Sequence, residues 1–156
     1  MFFVFLWLVQ DLITVFAGGS ARVPQLFILG LVYGIITDER DEIKLSAIWA
    51  SFAGGILWDL RWVGVPGFFT IGYVLVTLIV IHIWNLIPPQ GRSSGTGWIV
   101  FVMLELSQII PPLFPVLILG GATGLHFFVG QQFYSLPVII FCMYLRAVKM
   151  KNENNP

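Results

Sequence analysis

Apolar positions fall in long blocks along the chain, and short polar or Gly/Pro interruptions separate them. The blocks run from Phe2 to Phe16, Pro24 to Ile36, Leu45 to Leu60, Gly67 to Ile87, Gly97 to Leu119 and Gly124 to Leu145. A helix that crosses a bilayer needs roughly 20 residues. The first three blocks are shorter, so each must recruit flanking residues or sit where the bilayer is thinned. If the second is re-entrant, five spans remain. The pattern predicts an all-α polytopic membrane protein, a bundle of six transmembrane helices over residues 1–148. A short, polar, frayed tail follows at 149–156.

Loop charge predicts an orientation. With six spans both termini share one side, which then holds Arg40, Lys44, Arg92, Arg146, Lys149 and Lys151. The other side receives only Arg22 and Arg61, and six against two makes both termini cytoplasmic under the positive-inside rule. Asp38, Glu39, Asp41 and Glu42 share the first cytoplasmic loop, but acidic residues weigh little in that rule. Trp58 and Trp62 flank one end of the third span, and Trp84 and Trp98 flank the loop with Arg92, which predicts aromatic belts at the headgroups. Residues 2–16 lack a basic start and are interrupted by Gln10-Asp11, so they predict a retained helix rather than a cleaved signal, although Ala17 to Ala21 are small.

Composition narrows the class further. Apolar residues make up 58% of the 156, charged residues 10%, and the mean hydropathy is +0.91. Soluble domains carry about 25% charged residues, so this chain has too little polar surface to face water all round. Eight acidic and eight basic residues leave no basic face for nucleic acid. The single Cys142 excludes an intrachain disulfide framework. No phosphate loop, zinc helix or nucleophile elbow occurs, so neither an enzyme nor a cofactor or metal site is expected.

Small residues predict where helices touch, because they let backbones approach. The third block carries Ser46, Ala50, Gly54 and, offset by one, Ala47, Ser51, Gly55, which predicts a centrally packed third helix. Gly30 and Gly34 give the second block a further close-approach face. Ionisable and amide groups inside apolar blocks are the candidates for function. They are Asp11, Asp59, His82, Glu105, Gln131 and Gln132. Structural pairing would join Asp59 to Arg61 or Arg22, and Glu105 to His82 or Arg146. Pro111 and Pro112 predict a break or strong kink in the fifth helix, leaving carbonyls near Ser107 and Gln108 without partners.

The third block is also the most specific part of the sequence. Gly54-Gly55-Ile56-Leu57-Trp58-Asp59-Leu60, followed by Gly64-Val65-Pro66-Gly67-Phe68, resembles the signature of the rod shape-determining protein MreD family. Gln10 in the first helix, Pro24 opening the second and the Tyr33-Gly34 pair also fit it. The resemblance covers Phe2 to Ile87; beyond it only hydropathy agrees. Val65-Pro66 ahead of Gly67, and Pro111-Pro112, depart from the family pattern. The family is distantly similar to the six-helix substrate-binding subunits (S-components) of energy-coupling-factor vitamin transporters, which implies that fold.

The resemblance implies a non-catalytic scaffold of the bacterial elongation machinery in the cytoplasmic membrane. Its partners would be MreC directly, then MreB and RodA with its penicillin-binding protein, within membrane lipid. Gln10, Asp11, Gly30, Gly34, Ala47, Ser51, Gly54, Gly55, Asp59, Gly64, Pro66 and Gly67 are the candidates for helix packing and partner binding. Gly64 and Gly67 allow a tight turn and Pro66 fixes one dihedral. Two other classes compete. A vitamin-transporter subunit would need a polar pocket among Thr70, Gln131, Gln132 and Tyr134. A handler of lipid or lipid-linked precursor would use Glu105 and the broken fifth helix.

Overall fold

The computed structural model describes residues 2–18, 23–38, 40–88, 92, 96–119 and 122–154, without the side chains of 114–119, 122–128 and 152–154. Among the described residues are six helices and no strand. They are α1 Phe2–Phe16, α2 Leu26–Thr37, α3 Asp41–Trp58, α4 Phe68–Leu86, α5 Gly97–Leu119 and α6 Ala122–Asn154. The ends of α1 and α5 coincide with those of their apolar blocks. α3 starts earlier than its block, and its first turn carries Asp41 and Glu42, where carboxylates face the positive end of the helix dipole. α6 continues through Lys149 and Lys151 to Asn154, so most of the stretch expected as a frayed tail is helical.

By length and composition, α4 and residues 129–151 of α6 can cross a membrane. α1, α2 and the first 17 residues of α5 are apolar but shorter. At 1.5 Å per residue, α2 is only about 18 Å long. Its ends cannot reach both surfaces of a hydrocarbon layer roughly 30 Å thick.

α2 rather than α3 occupies the centre. Phe27, Ile28, Leu29, Leu31, Val32, Ile35 and Ile36 are buried on every side of it, against α1, α3, α4 and α5. The reason is compositional: α2 is apolar all round, whereas α3 keeps Leu45, Trp49, Phe52 and Leu57 exposed. On α3, Ala47, Ser51, Gly54 and Gly55 are buried, while Ser46 is exposed and Ala50 half-buried, so one small-residue series packs along its length and the other mainly through Gly54. A Cβ on Gly55 would lie 2.5 Å from the Thr70 Cα, so the α3 and α4 backbones come close at this glycine. Gly54 faces the Phe27 ring, and its carbonyl accepts Trp7 Nε1–H at 3.1 Å. Gly30 and Gly34 face the side chains of Leu6 and Phe3 on α1, not another backbone.

The proline pair does not interrupt α5, which is helical from Gly97 to Leu119. Pro111 lies against Gly72 of α4, where a Cβ would come within 2.6 Å of the Pro111 Cα. Pro112 supplies no N–H to the carbonyl of Gln108, four residues back. Gln132 Nε2 of α6 donates to that carbonyl instead, at 3.3 Å. A side chain from the neighbouring helix replaces the lost bond, as happens to interrupted helices out of water.

Polar contacts collect at two ends of the bundle. The basic end joins Thr37 of α2, Lys44 of α3, Trp84, Asn85 and Ile87 around the end of α4, Arg92, and Arg146 and Lys149 of α6. The opposite end, called the turn end here, holds the α3–α4 connection and the start of α2. The expected aromatic belt is only partly present. Trp58 and Trp84 are buried among other side chains, Trp62 is half-buried, and Trp98 is 69% exposed.

Candidate functional site

At the turn end α3 finishes in a wide turn over Asp59–Val63, closed by the Gly64 N–H bonding to the Asp59 carbonyl at 2.7 Å. The chain then reverses through Gly64 (φ 76°) and Gly67 (φ 118°), conformations that a side chain would strain. Pro66 sits exposed between them. This reversal brings the start of α4 over the Asp59 side chain, which has no exposed surface. Asp59 Oδ2 accepts the Gly67 N–H at 2.8 Å, the Thr70 N–H at 3.1 Å and the Thr70 hydroxyl at 2.7 Å. Oδ1 accepts the Phe69 N–H at 2.8 Å.

A helix leaves its first four N–H groups without intrahelical partners, and its dipole makes that end positive. Asp59 satisfies both demands of α4 from the end of α3. The expected pairing of Asp59 with Arg61 is therefore corrected. Arg61 Nε instead meets Asp11 Oδ1 at 2.6 Å, and Trp62 Nε1–H donates to the same oxygen at 3.1 Å. Arg22 lies outside the described residues. Gly55, one helical turn before Asp59, lets Thr70 approach α3 closely enough for its hydroxyl to reach the carboxylate.

A second cluster surrounds the start of α2, and it is built from amides. Gln10 Oε1 accepts the Phe27 N–H at 2.6 Å, and Gln10 Nε2 donates to Gln25 Oε1 at 2.7 Å. Gln108 of α5 grips the Gln25 backbone from the other side. Its Oε1 accepts the Gln25 N–H at 2.8 Å, and its Nε2 donates to the Gln25 carbonyl at 3.2 Å. The Tyr73 hydroxyl donates to Gln25 Oε1. Gln10, Gln25, Tyr73 and Gln108 are all essentially buried. Together with Gln132, they tie α1, α2, α4, α5 and α6 into one polar hub.

The structure unites some of the candidate residues and separates others. Gln10 is in the hub and Gln132 on its edge. Gln131 is buried, but its Nε2 meets no acceptor among the described residues. Glu105 meets neither His82 nor Arg146. Its Oε1 is buried without a donor among the described residues, His82 is exposed on α4, and Arg146 donates to the Arg92 carbonyl. Thr70 is engaged by Asp59 and Tyr134 is 58% exposed, so these two do not converge with Gln131 and Gln132 on one pocket. Gln25 and Tyr73 were not singled out from the sequence, although a lone amide directly after Pro24 and before an apolar run marks a helix start.

No family model matches the chain, and neither a curated protein nor a solved structure matches it.

Proposed function

We propose that the chain is a non-catalytic membrane scaffold of the MreD type, which supports rod-complex peptidoglycan synthesis by holding MreC in the cytoplasmic membrane. The observation that carries this reading is the α3–α4 turn. The Gly54-to-Phe68 motif that prompted the resemblance is a working structural unit: Gly55 sets the helix approach, Asp59 caps α4, and Gly64 and Gly67 make the reversal. Membrane residence is supported by the exterior, where Phe5, Leu8, Phe16, Leu60, Leu86, Phe133 and Ile140 are each more than half exposed. So many large apolar side chains exposed together suit lipid better than water. In this reading the basic end is cytoplasmic and the bundle sits in the membrane as an S-component-like set of six helices, with the short α2 spanning only where flanking residues or a thinned bilayer make up its length.

Partner binding falls to helix faces, since little chain lies between helices. α6 offers such a face, because only 17% of residues 129–151 is buried within the bundle. Its outer face carries Phe133, Ile140, Phe141 and Tyr144. The experiment is co-purification of the intact chain with the transmembrane segment of MreC from a membrane extract. Retention by the native chain, and its loss in Phe133→Ala/Phe141→Ala with the fold intact by circular dichroism, is the expected result. A correctly folded native chain that retains no MreC removes the reading. Depletion in cells should also turn rods into spheres.

A further inference from the structure

We propose that Arg92 and Arg146, gathered on the ring of Trp84 at the basic end, seat the phosphate of an anionic glycerophospholipid. The inference rests on membrane residence as proposed above, but not on MreC. The Arg92 guanidinium carbon lies 5.3 Å from the Trp84 ring centroid and that of Arg146 lies 5.5 Å from it. Arg92 is fixed by donating to the Trp84 carbonyl at 3.0 Å and the Ile87 carbonyl at 2.9 Å. Arg146, only 8% exposed, donates to the Arg92 carbonyl at 3.1 Å. Lys149, one turn further along α6, donates to the Thr37 carbonyl at 3.1 Å.

Capping of helix C-termini accounts for Arg92 on α4 and Lys149 on α2, because last-turn carbonyls favour cations. It does not account for Arg146, which rests on a connecting-segment carbonyl and an indole. At this end Asp38 pairs with Arg40 and Asp41 with Lys44, so neither neutralises Arg146. Two guanidiniums gathered on one indole offer a phosphate charge-assisted N–H donors from two side chains. The surroundings favour a lipid over a free anion: Leu86, Tyr144, Leu145 and Val148 are exposed on the same ends of α4 and α6, where acyl chains would lie.

The test uses the full chain in detergent, with bound lipid counted by native mass spectrometry after addition of phosphatidylglycerol or phosphatidylcholine. The native chain should retain phosphatidylglycerol preferentially, and about 0.5 M salt should collapse that preference by screening. Arg146→Gln should lower it about fivefold and the double variant with Arg92→Gln further. Arg61→Gln, at the other end, should leave it unchanged. Equal retention of the two lipids, or undiminished preference in a folded Arg146→Gln, overturns the proposal. Displacement by millimolar inorganic phosphate alone overturns the lipid assignment. Should Arg146→Gln not fold, the native chain's lipid preference and salt response decide. A chain that stays monodisperse without detergent refutes membrane residence; a detergent-requiring chain with no preference refutes this inference alone.

Discussion

The starts of α4 and α2 face the same problem and meet it with different chemistry. Both are buried at the turn end with N–H groups that water cannot reach. α4 is capped by one carboxylate supplied from 8 to 11 residues upstream, through a glycine-shaped reversal. α2 is capped by two neutral amides, Gln10 from 17 residues before Phe27 and Gln108 from 83 residues beyond Gln25. A local cap concentrates several bonds on one side chain. A distributed cap shares them and at the same time fixes how α1, α5 and α2 align. The first should be brittle to a single substitution and the second more graded.

Asp59→Ala is expected to have the largest effect. It strands the Phe69 and Thr70 amides and the Thr70 hydroxyl in the interior, at about 1–3 kcal/mol for each unsatisfied group. Thermal unfolding in detergent should fall by about 10 °C, and Asp59→Asn, which keeps one acceptor, by roughly half of that. An Asp59→Ala chain as stable as the native one would end the brittle half of the comparison.

Glycine substitutions come next, because Gly55 holds the Asp59 cap within reach. Gly55→Ala should lower the midpoint by about 5 °C, since overpacking against a backbone costs about 1–3 kcal/mol. Gly34→Ala is the control: its Cβ would sit 3.7 Å from a Phe3 ring carbon, an ordinary contact. Gain or no change is expected there, because Ala favours helix.

Gln108→Ala should cost about 2 kcal/mol, or roughly 6 °C at most, because Gln10 still caps Phe27. A double-mutant cycle with Gln10→Ala should show coupling, as both side chains hold Gln25. Strict additivity would mean that the hub is not one unit.

The smallest effect belongs to the surface. The Arg40 guanidinium, hydrogen-bonded to Asp38, holds its carboxyl well below the usual range, at about 2. A depressed carboxyl contributes whatever stability it has above its unfolded pKa and loses it as pH falls through about 2. Asp38→Asn should therefore leave thermal unfolding at pH 7 within about 1 °C, since exposed pairs contribute little.

These two caps also explain what was legible in the sequence. The helices were, because apolar blocks and Gly/Pro punctuation are local signals. Asp59, Gly64 and Gly67 stood out for the same reason, being parts of one short motif whose cap and turn lie within a dozen residues. The role of Asp59 was not legible: a nearby Arg61 suggested a salt bridge, but the wide turn after Trp58 sends Arg61 to Asp11 instead. The amide hub was illegible as a unit, because Gln10, Gln25, Tyr73 and Gln108 meet only after four helices have packed. The central place of α2 was hidden likewise, since small residues on α3 report close contact but not which helix is surrounded. The proline pair looked like a break because the rescue of the Gln108 carbonyl comes from Gln132, 24 residues away.

Amide hydrogen exchange of the detergent-solubilised chain, resolved to single residues, tests the buried caps most directly. Helix-start amides normally exchange fast, whereas those of Gln25, Phe27, Phe69 and Thr70 should be protected like mid-helix ones. Asp59→Ala should expose the pair in α4 and leave Gln25 and Phe27 protected. Fast exchange of Phe69 and Thr70 in the native chain, or unchanged protection in Asp59→Ala, would contradict the capping described here.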